Sequence, residues 1–192
     1  MASLTIPHTL HERVTRGHVA YDALLILTAS FVIAIAAQIA IPVPFSPVPL
    51  TMQPLAVLLV GVVLGSKRGA AAATLYLLEG IAGLPVFAQG HGGALWLAGP
   101  TAGYLISYPF AAFVAGWFSE RGWGGTISRS VTGMLLALCV IYLGGWSWLS
   151  LMVGPRAAFV TGVAPFVLAD IVKIAVGAAL LPQAQKLVAR AS

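Results

Sequence analysis

The sequence predicts an all-α integral membrane protein, and three observations carry that prediction. Hydrophobic residues make up 59% of the 192 positions and charged residues only 8%. An average soluble domain is about 25% charged, and so few charges cannot cover a water-exposed globule of this size. The chain also runs from Ala23 to Ser66 without a formal charge, and its basic residues fall between the apolar runs rather than in one patch. Disorder is excluded by the same composition, because disordered chains are polar and poor in apolar residues. The mean hydropathy of +0.97 agrees.

A spanning helix needs about 20 largely apolar residues. The charge-free stretch is too long for one span, and Pro42, Pro44, Pro47 and Pro49 divide it. Proline cannot continue a helix and biases its predecessor toward extended structure. The first span is therefore predicted over Ala23–Ile41, a tight apolar loop over Pro42–Leu50, and the second span over Thr51–Gly65, ended by Lys67 and Arg68. A short third span follows from Gly69 to about Ile81 and contains Glu79. Residues Gly83–Pro100 are rich in glycine, hold Pro85 and carry no charge. They are too irregular for a helix and too apolar for an ordinary exposed loop. Non-helical backbone at membrane depth survives only where it is buried in protein or lines a cavity. The fourth span is predicted over Thr101–Ser119 with a kink at Pro109, then a polar loop with Glu120, Arg121 and Arg129. The fifth is predicted over Ser130–Leu149 and the sixth over Ala157–Leu181, with Pro182 and Lys186 beyond it.

The basic residues test this count, since cytoplasmic loops are enriched in Lys and Arg. Arg13 and Arg16 precede the first span, and Lys67 and Arg68 join the second to the third. Arg121 and Arg129 join the fourth to the fifth, and Lys186 and Arg190 follow the sixth. The three opposite loops hold only Arg156. This asymmetry predicts six spans with both termini in the cytoplasm: a cytoplasmic segment over residues 1–20 and one membrane domain over 21–192. It also accounts for the net charge of +5 without nucleic acid. Residues 1–20 lack the short apolar core of a cleavable signal, so the first span is expected to be retained. The single cysteine, Cys139, leaves no intramolecular disulfide and no cysteine-based metal site.

The sixth span holds the most informative pair, Asp170 and Lys173. A charge at the centre of a spanning helix costs roughly 2.5–3.5 kcal/mol on insertion scales, so intramembrane charge signals a functional site by default. At i and i+3 the two share one helical face. They read either as a self-neutralising ion pair or as a polar site that offers an acceptor beside a donor. Such a site suits a neutral ligand with both N–H and C=O groups better than it suits an ion. Glu79, near the outer end of the third span, reads either as facing the cavity or as sitting at the interface beside the glycine-rich loop. His8, His11 and His18 read as an interfacial cap rather than a metal site, and His91 stands alone. Ser30, Ala34 and Ala37 form a strip of small residues at helical spacing on the first span. Such a strip lets helices approach closely, either inside the bundle or at a partner. There is no Gly-x-Ser-x-Gly, no phosphate-binding loop and no His-Glu-x-x-His, so uphill transport would draw its energy from an ion gradient or another subunit.

Four segments together resemble the BioY family, the biotin-binding S components of energy-coupling factor (ECF) transporters. They are Ala36-Ala-Gln-Ile-Ala-Ile-Pro-Val-Pro-Phe-Ser-Pro-Val-Pro-Leu-Thr-Met-Gln53, Gly83-Leu-Pro-Val-Phe-Ala88, Ala98-Gly-Pro-Thr-Ala-Gly-Tyr-Leu105 and Asp170-Ile-Val-Lys173. Their order and spacing, from about residue 20 to residue 185, make the resemblance specific. One departure is Ala102, where the family usually has glycine. The resemblance implies a six-helix plasma-membrane protein that captures biotin from the outer side. It implies that Asp170 and Lys173 hold the ligand's bicyclic head. It also implies partners, a transmembrane coupling protein and two cytoplasmic ATPases, and a coupling face at Ser30, Ala34 and Ala37. The chain itself would use no cofactor and catalyse no reaction.

Biotin's chemistry fits these residues. Its ureido ring offers two N–H donors and a polar carbonyl, and the rest is apolar. Asp170 is expected to accept from the ureido N–H groups, and Lys173 to orient Asp170 and donate to the ureido oxygen. Gln53, Gln89 and Tyr104 are further polar candidates, and Phe87 and Trp96 are candidate walls for the rings. The rival readings are an S component for another vitamin, an autonomous ion-coupled carrier, and an intramembrane enzyme using Asp170 or Glu79 as a base.

Overall fold

The structure, a computed structural model, describes residues 19–123 and 126–191. It is built of α-helices: α1 (Val19–Gln38), α2 (Gln53–Leu64), α3 (Ser66–Ile81), α4 (Ala102–Glu120), α5 (Ile127–Val153), α6 (Pro155–Gly162) and α7 (Ala164–Ala191). Three stretches are long and apolar enough to cross a membrane: Val19–Gln38, Ile127–Val153 and the run Pro155–Ala179. His8, His11 and His18, together with Arg13 and Arg16, lie outside the described residues.

Each element follows from local chemistry. The proline-rich stretch after α1 folds back as a hairpin, with β1 (Ala40–Ile41) pairing antiparallel to β2 (Leu50–Thr51). The expected apolar loop is thus tied by a short ladder. Pro54 stands in the first turn of α2, where its missing N–H costs nothing. Gly65 has φ 84°, a conformation glycine adopts without strain, and it both ends α2 and starts α3. Helix α2 approaches α4 so closely that a Cβ on Gly61 would lie 2.3 Å from the Ala112 carbonyl oxygen. Helix α4 runs unbroken through Pro109 and packs on α2, α3 and α5, so it forms the centre of the bundle. Its buried face carries Tyr104, Leu105 and Tyr108 toward one end and the small residues Ala111, Ala112 and Ala115 beyond them.

The sixth predicted span is two helices. The chain breaks at Val163, with φ −121° and ψ −62°, between α6 and α7. At this break the Tyr104 hydroxyl donates to the Gly162 carbonyl at 2.7 Å. Helix α7 then continues through Pro182 to Ala191, past the predicted end.

The two ends of the bundle differ. At one end the Glu120 carboxylate accepts from the Ser66 N–H at 2.7 Å and so caps α3. Arg68 pairs with Asp22 at 2.6 Å there, and the Arg121 guanidinium lies 3.5 Å over the Trp117 ring. The opposite end gathers the β-hairpin, the starts of α2, α4 and α7, and the Gly83–Pro100 segment. That segment folds as two 3-10 turns, Ala88–Gly90 and Ala94–Ala98.

Candidate functional site

The end away from the basic residues holds a narrow cavity of about 50 Å³. Val48, Pro49 and Leu50 of the hairpin form one wall. Phe87, Ala88 and Trp96 of the 83–100 segment form another. Tyr104, Leu105 and Tyr108 of α4 and Ile141 and Tyr142 of α5 close it from the bundle side. Phe166 and Asp170 of α7 supply the last side, and among the described residues Asp170 is the only formally charged one that lines the cavity. Phe87 is fully buried, and its ring fills the notch over Gly80 and meets Tyr76 edge-on at 5.6 Å. Trp96 is stacked on His91 with ring centroids 4.0 Å apart.

Asp170 is buried, and each of its oxygens has one fixed donor. The Tyr142 hydroxyl donates to Oδ2 at 2.7 Å, and Lys173 Nζ donates to Oδ1 at 2.8 Å. Lys173 Nζ also donates to the Thr51 carbonyl at 2.9 Å and is not among the cavity-lining residues. A carboxylate offers about four lone-pair sites, so Asp170 keeps acceptor capacity for a ligand after both bonds are made. Gln53 is buried in a chain of its own: Tyr108 donates to its Oε1 at 3.1 Å, and its Nε2 donates to Tyr76 at 2.6 Å. Tyr76 in turn donates to the Val86 carbonyl at 3.1 Å. Thr101 also lines the cavity, and its Oγ1 is buried without a hydrogen-bond partner among the described residues. A buried hydroxyl without a partner costs free energy and is uncommon.

The arrangement is a mostly apolar, aromatic-walled slot with one carboxylate acceptor braced by a lysine. It can bind a compact ligand with an N–H-rich polar end and an apolar body.

The BioY family model matches residues 9–190, nearly the whole chain. The chain belongs to the BioY family. It is 44% identical over 149 residues to the probable biotin transporter BioY of Pyrococcus horikoshii, covering 78% of this chain and 88% of that one. It is 42% identical over 172 residues to the biotin transporter BioY of Rhizobium etli, covering 83% and 91%. Its fold is similar to that of a crystal structure of the S-component for biotin from an ECF-type ABC transporter. The TM-score is 0.77 at 24% identity, with 90% of this chain and 95% of that chain covered.

The structure brings Asp170, Gln53, Tyr104, Phe87 and Trp96 together around one cavity. Lys173 Nζ is held between the Asp170 carboxylate and the Thr51 carbonyl, beside the cavity-lining Asp170. Gln89 is exposed, has φ 61°, and lines a neighbouring outer pocket with Pro42, Val43 and Ser46 rather than the cavity. Glu79 points at α1, where it accepts a hydrogen bond from Ser30. Ser30, Ala34 and Ala37 are buried inside the chain, so of the two readings of the strip the geometry supports internal packing and not an outward coupling face. The outward face of α1 is Leu24, Leu27, Phe31 and Ile35. Sequence reasoning missed Tyr142, Tyr108 and Thr51. A tyrosine inside an apolar run is a weak signal of a buried hydroxyl seeking a partner. Nothing local marks the Thr51 carbonyl.

Proposed function

We propose that this protein captures biotin at the outer face of the plasma membrane as the S component of an ECF transporter. It would hand the vitamin to a transmembrane coupling protein driven by two cytoplasmic ATPases. The observation that carries the reading is the buried Asp170 carboxylate, held by Tyr142 and Lys173 at the side of an aromatic cavity. The biotin transporters among its BioY relatives support it. In the proposed complex Asp170 accepts from the ureido N–H groups. Phe87 and Trp96 wall the rings, and Tyr104 and the free Thr101 hydroxyl offer further polar contacts. Lys173 acts by fixing Asp170.

The same proposal takes α1 to α5 as five spans and α6 with α7 as the sixth, with both termini cytoplasmic. Lys67, Arg68, Arg121 and Arg129 sit at helix junctions on the end opposite the cavity, which supports a cavity opening outward. With no phosphate-binding loop in the chain, ATP is assigned to the partners alone.

Equilibrium binding of unmodified biotin to the purified protein, with the ligand recovered intact, tests the reading. Saturable binding that is weakened roughly ten- to a hundredfold in Asp170→Asn is expected. Absence of binding, or recovery of a chemically altered ligand, overturns it. Preferential binding of a different vitamin in competition moves the proposal to that ligand.

A further inference from the structure

Gln38 is the last residue of α1 and is not among the residues that line the cavity. It belongs to the Ala36–Gln53 stretch, yet nothing in the site as described uses it. Its amide spans two elements. Nε2 faces the carbonyl oxygens of Ala34 at 3.1 Å, Phe87 at 3.2 Å and Val86 at 3.4 Å. Oε1 accepts from the Gly90 N–H at 2.9 Å. A glutamine amide can donate twice and accept twice, so this one group ties the end of α1 to both arms of the first 3-10 turn.

The turn needs such a tie. Its internal bonds are local: the Phe87 N–H to the His91 carbonyl at 2.9 Å, and the Gly90 N–H to the Phe87 carbonyl at 3.2 Å. Gln89 within it has φ 61°, a conformation that side chains other than glycine adopt at a cost. The stretch is also tied to α3, by the Tyr76 hydroxyl at the Val86 carbonyl, 3.1 Å, and by the buried Phe87 ring over Gly80. Phe87 and Ala88 are cavity wall.

Resting on the biotin-capture reading, we infer that Gln38 is a positioning residue that holds the 86–90 segment shut against bound ligand. It sets how long biotin stays without touching it. Loss of the amide leaves encounter with the open site unchanged and lets the segment part more often. The effect therefore falls on dissociation rather than association, where most affinity differences between related complexes lie.

The test uses the full chain in detergent. Gln38→Met keeps the side-chain length and removes the amide. Gln38→Glu keeps the acceptor for Gly90 and sets a carboxylate against the carbonyls. Biotin dissociation and association rates are measured together with hydrogen exchange at residues 86–91, with and without biotin, and with the thermal midpoint of the ligand-free protein. In Gln38→Met, dissociation is expected to rise about tenfold, the loss of one or two ordinary hydrogen bonds. Exchange at 86–91 should rise and association change little. Gln38→Glu should keep Gly90 protected and dissociate biotin at an intermediate rate. A purely structural role would lower the thermal midpoint and leave the dissociation rate alone, and that result overturns the inference. So does unchanged exchange at 86–91, or raised exchange with a wild-type dissociation rate. Wild-type protein that does not bind biotin overturns the functional reading instead, and the ligand-free exchange then decides whether Gln38 anchors the segment.

Discussion

Tyr142 on α5 donates a 2.7 Å hydrogen bond to Asp170 Oδ2 on α7, across a sequence separation of 28. This bond and the one from Lys173 leave the carboxylate no freedom to turn. Tyr142→Phe is a nearly isosteric change that removes only the hydroxyl. A hydrogen bond to a charged group contributes about 1.5–3 kcal/mol, so the ligand-free protein should lose stability on that scale. Thermal unfolding in detergent reads this, and an unshifted midpoint would show that the bond adds nothing. Biotin affinity should fall as well, because the carboxylate is no longer aimed.

How much of this was legible in the sequence depends on the kind of relationship. The i,i+3 spacing brings Asp170 and Lys173 together on any helix, and they do meet at 2.8 Å. The irregularity of Gly83–Pro100 marked it as either buried in protein or lining a cavity, and Phe87 and Trp96 line the cavity. Partners in separate helices were not legible. Tyr142 with Asp170, Lys173 with the Thr51 carbonyl and Glu79 with Ser30 are all set by helix packing, which local periodicity does not encode. The break at Val163 was hidden because α6 and α7 form one apolar run in sequence.

The small-residue strip shows the same limit. Its spacing says that something approaches closely, but not what. Ala37 is completely buried and Ala34 is 7% exposed, whereas Ile35 is 52% exposed. Inserting larger side chains into a packed core costs typically about 1–3 kcal/mol, and an indole in place of a methyl should exceed that. Ala34→Trp and Ala37→Trp should therefore lower the thermal midpoint or the yield of monodisperse protein, while Ile35→Trp should leave both near wild type. Well-folded Ala34→Trp and Ala37→Trp proteins would return the strip to the outside of the bundle.

The proposed orientation has its own check. Reporters fused after Ser192 and inserted within Gly90–Gly93 should report opposite sides of the membrane. The insertion lies in the segment at the cavity end, and the fusion follows a helix that starts at that end and runs away from it. Agreement between the two reporters would sink the six-span topology.

The charged pair separates a binding role from a packing role. Asp170→Asn keeps the shape and removes a charged acceptor, so biotin binding should weaken roughly ten- to a hundredfold. It also strands Lys173, whose remaining partner is the Thr51 carbonyl. Lys173→Met leaves Asp170 buried with only Tyr142, and breaking one side of a buried ion pair is strongly destabilising. Lys173 is not among the residues lining the cavity, so its own loss should act on stability and on the aim of Asp170. The double variant Asp170→Asn/Lys173→Met leaves no lone charge. It should recover a thermal midpoint close to wild type, because replacing a buried ion pair by neutral groups is often neutral or stabilising. If Asp170 meets the ligand, the same protein should still bind biotin as poorly as Asp170→Asn does. Recovery of stability without recovery of affinity places the carboxylate in the binding site. Recovery of both reduces the pair to a self-neutralising brace between α7 and the β-hairpin, and the polar end of biotin would then have to be met by Thr101, Gln53 and Tyr104 alone.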